Sequence, residues 1–295
     1  MAYRIKEKET VAKAVRRIIR RQLKKAVEGA RETSHPIDER VHLVRSRLKR
    51  ARAAVDLVHR RAGSGATRDE RWMREMARAL SKARDIAVQA ETLHRLLEQN
   101  PDRVAAGADP SLRDISTRLR RRMSPTTIEA RVNDVIARME KRRRRVGHWA
   151  VRNGRRALRQ GLEAAYKRAR RRMRKACAVE VGEIGRAERL HGLRKSIKRL
   201  AMEVAVLRGK VPDLSRRLGE PLHELGDLLG QVHDLAVLRH TLERELDAPR
   251  DRRNRAILFE LIDRRLTELE QTASAKSQET LALRPKIIRR MLAEI

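Results

Sequence analysis

Two windows of this chain match two others at a single offset of 149 residues, and that duplication limits the fold more than any other feature. Set His42 over His191, and Arg45 falls on Arg194, Lys49 on Lys198, Arg50 on Arg199 and Leu48 on Ile197. Carry the offset forward and Asp85 falls on Asp234. Around it Leu80 meets Leu229, Ala87 meets Ala236, Val88 meets Val237, Thr92 meets Thr241 and Leu93 meets Leu242. A period of about half of the 295 residues is far beyond the roughly 20–50 residues of a solenoid unit. It predicts two similar modules in tandem, 1–147 and 148–295, with the boundary near Gly147.

Each module reads as helical. Apolar residues recur at helical spacing almost everywhere and strand-like alternation is nearly absent. Hydrophobic residues reach 40% of the chain but aromatics only 2%. The core must therefore be Leu, Ile, Val and Ala, which suits helices better than a sandwich or barrel. Glycine and proline divide the pattern. A first helix ends near Gly29. A second starts at His35-Pro36 and reaches the Gly63-Ser64-Gly65 turn, and a third runs from about Arg68 to Gln99. Gly107 and Pro110 mark a loop. Ser124-Pro125 reads as an N-cap with proline in the first turn of a helix that runs to about Gly147. Further breaks fall at Gly182–Gly185, Gly209–Pro212, Pro249 and Pro285. The expectation is an all-α chain of eight or nine helices, four to each half as in ordinary bundles.

The duplicated window carries more than core residues. On a helical wheel Val44, Leu48, Ala51 and Val55 form the buried stripe, and His42, Arg45, Lys49 and Arg52 lie beside it. The second copy sets His191, Arg194, Lys195 and Lys198 beside Leu193, Ile197, Leu200 and Val204. A basic stripe at a core edge lines a groove or seam, with its stems buried and its charges free. No acidic residue occurs from 40 to 55 to neutralise it. Asp85 and Asp234, each within an apolar stretch, are expected to anchor an Arg or Lys. Across the chain, 73 Lys+Arg against 39 Asp+Glu leave a formal charge of +34. Such an excess repels itself in a compact state, and a polyanionic partner would relieve it.

Several chemistries fall away. The single cysteine, Cys177, excludes an intrachain disulfide or a Cys-based zinc site and is expected to pack. His233-Asp234 resembles a phosphohydrolase metal pair, but the first copy has Arg84-Asp85 there, and arginine is no metal ligand. A Glu-x-Glu-x-Lys strand motif is nearly met by Glu7 and Glu9 and fails at Val11. No phosphate-cradling glycine loop occurs. No apolar run approaches the roughly 20 residues that span a bilayer, and Met1 to Thr10 carries no secretory pattern. The reading is a binding protein that is not an enzyme, needs no cofactor or metal, contacts no membrane and resides in the cytoplasm.

The segment Val41-His42-Leu43-Val44-Arg45-Ser46-Arg47-Leu48-Lys49-Arg50-Ala51-Arg52-Ala53, the Arg84-Asp85-Ile86-Ala87-Val88 stretch and their second copies resemble the CHAD (conserved histidine α-helical domain) family across essentially the whole chain. The resemblance implies two four-helix bundles related by pseudo-twofold symmetry with a basic groove or channel between them. It also implies binding of inorganic polyphosphate and collection at polyphosphate granules. His42, Arg45, Lys49, Arg50, His191, Arg194, Lys198 and Arg199 then take polyphosphate-contact roles. The second copy departs from the pattern, with His233 where the first has Arg84 and Ala201 where it has Arg52.

Bare phosphate chains call for rows of Arg and Lys donors and no stacking surface. Non-specific single-strand nucleic-acid binders add aromatic stacking, which this chain hardly supplies. Weaker contact with duplex DNA or RNA through backbone phosphates is the alternative partner. The expected site is one shared groove, extended by the first-helix cations Arg20, Arg21, Arg170 and Arg174. Its binding should weaken with salt and strengthen as the histidines charge below a pH of roughly 6.5.

Overall fold

The structure is a computed structural model that describes residues 3–6, 8–102, 115, 117–119, 121, 123–180, 183, 185–246 and 252–294. Among these residues there are helices and no strands. In the first half α1 is Val11–Arg31, α2 Ile37–Val58, α3 Gly63–Ala79, α4 Ser81–Glu98 and α5 Pro125–Arg143. In the second half α6 is Gly154–Cys177, α7 Arg186–Leu207, α8 Pro212–Glu245, α9 Arg252–Thr280 and α10 Pro285–Met291.

Most predicted boundaries are found. Ser124 caps α5, its hydroxyl accepting from the Thr127 backbone N–H at 3.2 Å, and Pro125 follows where its missing donor is not needed. The expected breaks at Gly107–Pro110 and Pro249 lie outside the described residues, as does Gly182. Two segments differ. Helix α2 stops at Val58 and a 3₁₀ turn, His59–Arg61, precedes Gly63, whose φ of 68° glycine adopts without strain. The helix expected from Arg68 to Gln99 is two helices, broken at Leu80. That break adds a helix to the first half.

Helices α1 and α2 pack as an antiparallel pair, as do α6 and α7, and α8 lies along both α7 and α9. The halves meet where α2 packs on α7 and α6, and α4 on α8. The apolar core runs without interruption through this junction, from Ile5, Val15 and Leu48 to Ile197, Leu229 and Leu258. Burial on that scale is the main term holding the fold together. The α2–α6 crossing is close because Gly161 has no side chain, and a Cβ there would collide with the Leu57 carbonyl.

A buried arginine locks each half. Arg40, at the start of α2, donates to the Ala30 carbonyl at the end of α1 (2.8 Å) and to Glu129 of α5 (2.9 Å). Arg186, at the start of α7, does the same for the end of α6 and for Glu270 of α9, at 2.5 Å. Each satisfies a helix-end carbonyl that the helix itself leaves unpaired, and each is about 5% exposed or less. The first residues also join the halves. Ile5 donates to the Val206 carbonyl at 2.9 Å, and the Tyr3 hydroxyl to that of Arg50 at 2.7 Å.

Candidate functional site at the seam of the two halves

Helix α2 packs on α7 and α4 on α8, and the two basic stripes are close enough for their charges to act on one another. Lys49 lies within reach of Arg45 and Arg84 in its own half and of Arg194 and Lys198 in the other. Partial enclosure by protein, reinforced by these charges, pushes its ammonium down to about 8 although its end meets solvent. Arg194 feels Arg84 and Asp85 across the seam, and His42 feels Lys198. The result is one basic cluster: Arg45, Lys49 and Arg84 from one half, Arg194, Lys195 and Lys198 from the other.

Carboxylates hold this cluster in place without balancing it. The Arg194 guanidinium lies 3.9 Å from Asp234, and Lys198 Nζ lies 3.4 Å from Asp227. Asp85 attracts Arg45, its counterpart pair in the first copy. These contacts agree with the anchoring expected of the two aspartates. Yet burial and the neighbouring Arg194 outweigh Asp227, and Lys198 still lies below the ordinary lysine range. Arg45 and Arg194 are also held below theirs, chiefly by burial. The Arg194 Nε and the His191 Nδ1 are buried without a hydrogen-bond partner, a state that costs free energy and that an incoming acceptor would relieve. Gly226 of α8 lets Lys198 lie close, because a Cβ there would sit 3.3 Å from Lys198 Cγ.

The histidines do not behave as expected. His191 stacks on His233, ring centroids 4.1 Å apart. Burial, and then the surrounding Lys195, Arg194 and Arg172, push His191 down to about 4. Burial, Arg194 and His191 itself take His233 to about 3, and His42 is lowered by burial and Arg84. In the free protein the His191–His233 pair is therefore neutral well below pH 6.5, which corrects the expected gain of charge at His191, and His42 is held below the ordinary histidine range.

Not every sequence candidate reaches the seam. Arg52 is held by the buried Glu70 at 2.7 Å and Arg199 by Asp56 at 3.1 Å, so both charges are already matched. Arg50 sits beside the Tyr3 ring, 5.8 Å from its centroid. Arg20 reaches the Arg144 carbonyl and His148 at the end of α5, and Arg21 is half-buried on α1. Arg170 and Arg174 line a separate cavity on α6. Two seam cations were not singled out from the sequence. Arg84 stands in the Arg84-Asp85 pair, but its repeat partner is His233, so the repeat does not mark the position as cationic. Arg172 sits within a basic run with nothing periodic to mark it, and it lies over Gly192, where a side chain would displace it. Among the described residues no three His, Cys, Asp or Glu side chains gather as a metal site, and no helix is long and apolar enough to cross a membrane.

Comparison with known proteins follows the same lines. Residues 14–243 match the sequence profile of the CHAD domain. PptA from Streptomyces chartreusis superposes with a TM-score of 0.66 at 14% identity, over 92% of this chain and 100% of that one. The CHAD domain from the plant Ricinus communis gives 0.61 at 20% identity, over 96% of each. At these identities the likeness is one of fold. No curated protein sequence gives a significant match.

Proposed function

The chain belongs to the CHAD domain family, and from that premise we propose that it binds inorganic polyphosphate, without chemical turnover, in a groove formed at the seam. The observation that carries the proposal is the convergence of Lys49 with Arg194 and Lys198, from opposite halves, in a cluster with too few carboxylates to neutralise it. Crowded cations that repel one another are unfavourable alone and favourable around a polyanion. A phosphate chain supplies acceptors at every unit, and charge-assisted bonds to it are the strong kind. His42 and His191 line the site as neutral donors. Nothing aromatic at the seam beyond the histidine rings offers a stacking platform, which separates this chemistry from single-strand nucleic-acid binding. Polyphosphate granules in the cytoplasm are the location that this activity fits.

The test is charge reversal at both copies, Arg45→Glu with Arg194→Glu, read by titration of labelled long-chain polyphosphate. Removing and inverting two desolvated donors should weaken binding by about a hundredfold or more while helical content stays at the wild-type value. Wild-type affinity should also fall steeply with salt, as counterion release requires. Unchanged affinity in the double variant would remove the seam from the account.

A further inference from the structure

Helix α6 carries a second concentration of positive charge that the seam does not use. A cavity of about 550 Å³ lies along it, walled by Arg60 from the turn after α2 and by Lys167, Arg168, Arg170, Arg171 and Arg174. Its size is within the roughly 300–1,000 Å³ of small-molecule sites. Ala164 and Pro285 complete the wall, so among the described residues no carboxylate and no aromatic ring lines it.

The six cations are not equally occupied. Lys167 pairs with Glu163 at 2.7 Å, and Arg168 faces the buried Asp56 and Glu203. Arg60, Arg170, Arg171 and Arg174 form no ion pair among the described residues, whereas on the same helix Arg159 is taken up by the Ala293 carbonyl at 2.8 Å. The Nε of Arg170 is buried and has no acceptor at all. The enclosing elements are themselves fixed. Tyr166 donates to the Leu283 carbonyl at 2.9 Å and Arg289 pairs with Glu163 at 2.7 Å, which pins the start of α10 against α6. Four unmatched guanidinium groups, held on a braced wall around one concave space, are a donor set without its acceptor.

We infer that this cavity is a second anion site, separate from the seam, that takes a compact linear oligophosphate such as tripolyphosphate. Guanidinium forks match phosphate oxygens two at a time, and several closely spaced phosphates are needed to engage arginines from both sides of the space. The missing rings mean that a nucleoside base gains nothing there. The inference does not rest on the seam reading, because no seam residue lines the cavity.

The experiment is calorimetric titration of tripolyphosphate into the full chain carrying Arg45→Glu and Arg194→Glu, with the seam disabled. Saturable, salt-sensitive binding should persist. Adding Arg60→Glu, Arg171→Glu and Arg174→Glu, all exposed residues, should weaken it by about a hundredfold or more. Where the reversals compromise folding, Arg171→Gln with Arg174→Gln should shift affinity in the same direction by about tenfold. ATP should bind within about threefold of tripolyphosphate, having no stacking partner for its adenine. Loss of all tripolyphosphate binding in the seam variant, or binding that ignores the α6 substitutions, overturns the second site. A preference for ATP of tenfold or more overturns its ligand class. Failure of the seam reading would look different, as long-chain binding unaffected by Arg45→Glu and Arg194→Glu.

Discussion

The two copies of the basic stripe start from the same residues in the same register, yet different contacts hold them. In the first half the helix breaks at Leu80, so Ala77 lies in the last turn of α3, where carbonyls have no helical partner. Arg45 donates to that carbonyl. In the second half α8 continues through the equivalent Leu229. Gly226, the counterpart of Ala77, lies inside the helix, its carbonyl committed to the ladder. Arg194 therefore reaches for Asp234 at 3.9 Å and keeps an unpartnered Nε. The charges differ as well. Where the first copy has Arg84, the second has the neutral His233 stacked on His191. One copy is pinned to the backbone and carries an arginine where the other has a neutral ring. The other is held by side chains alone and has donors to spare. A duplicated motif thus fixes where cations stand without fixing how firmly they are held.

That contrast can be broken by substitutions that keep the aliphatic stems and delete the charge. Arg45→Met and Arg194→Met should each weaken long-chain polyphosphate binding by about tenfold. Their stabilities should part company. Arg45→Met strands the Ala77 carbonyl and should cost about 1 kcal/mol in denaturant unfolding. Arg194→Met relieves repulsion and strands no backbone group, so it should be neutral or slightly stabilising. Equal destabilisation by the two would erase the distinction between the copies.

A pH series sharpens it further. Lys49 titrates near 8 in the folded protein against an ordinary 10.5. The unfolded chain thus holds more protons between those values, and stability of the free protein should rise with pH across that window. Binding runs the other way. A bound polyanion favours the ammonium, so affinity should start to decline above about pH 8, earlier than for a site of ordinary lysines. With His191 near 4 and His233 near 3, affinity should be nearly flat from about pH 7 to 6. Proton uptake on binding, measured in buffers of different ionisation enthalpy, reads both windows. A steep rise in affinity at pH 6 would contradict the neutral histidine pair.

The smallest effect concerns the space beside α8. An alanine Cβ at Gly230 would meet Lys198 Nζ at 3.5 Å and Arg194 Nε at 3.9 Å, both ordinary contacts. Gly230→Ala should therefore stabilise the helix by about 0.5–1 kcal/mol and leave binding nearly unchanged. A large loss of binding would mean that the ligand itself approaches the α8 backbone there.

Much of this was legible from the repeat. Each boundary of α2 lies 149 residues before the matching boundary of α7, and the aligned Arg45, Lys49, Arg194 and Lys198 do meet. Periodicity carries such information because it fixes which face of a helix a residue occupies. It says nothing about partners far away in the chain. Glu70 and Asp56 neutralise Arg52 and Arg199 across folds of the backbone that no spacing announces. Leu80 is a good helix former, and nothing in its neighbourhood marks a break. The histidine shifts arise from burial among cations, a property of the assembled seam alone. As cations on the first helix of the second half, Arg170 and Arg174 are expected to extend the groove, but their position on α6 places them around a different cavity.

The central claim is that the seam recognises bare phosphate chains and not polyanions in general. The most direct measurement is competition at one near-physiological salt concentration, with labelled long-chain polyphosphate displaced by short-chain polyphosphate, duplex DNA and RNA. The account predicts that, per phosphate, unlabelled polyphosphate competes at least about tenfold better than either nucleic acid, because the seam has donors for oxygens and no platform for bases. Equal competition per phosphate by DNA or RNA would contradict it, and the chain would then be a general polycation.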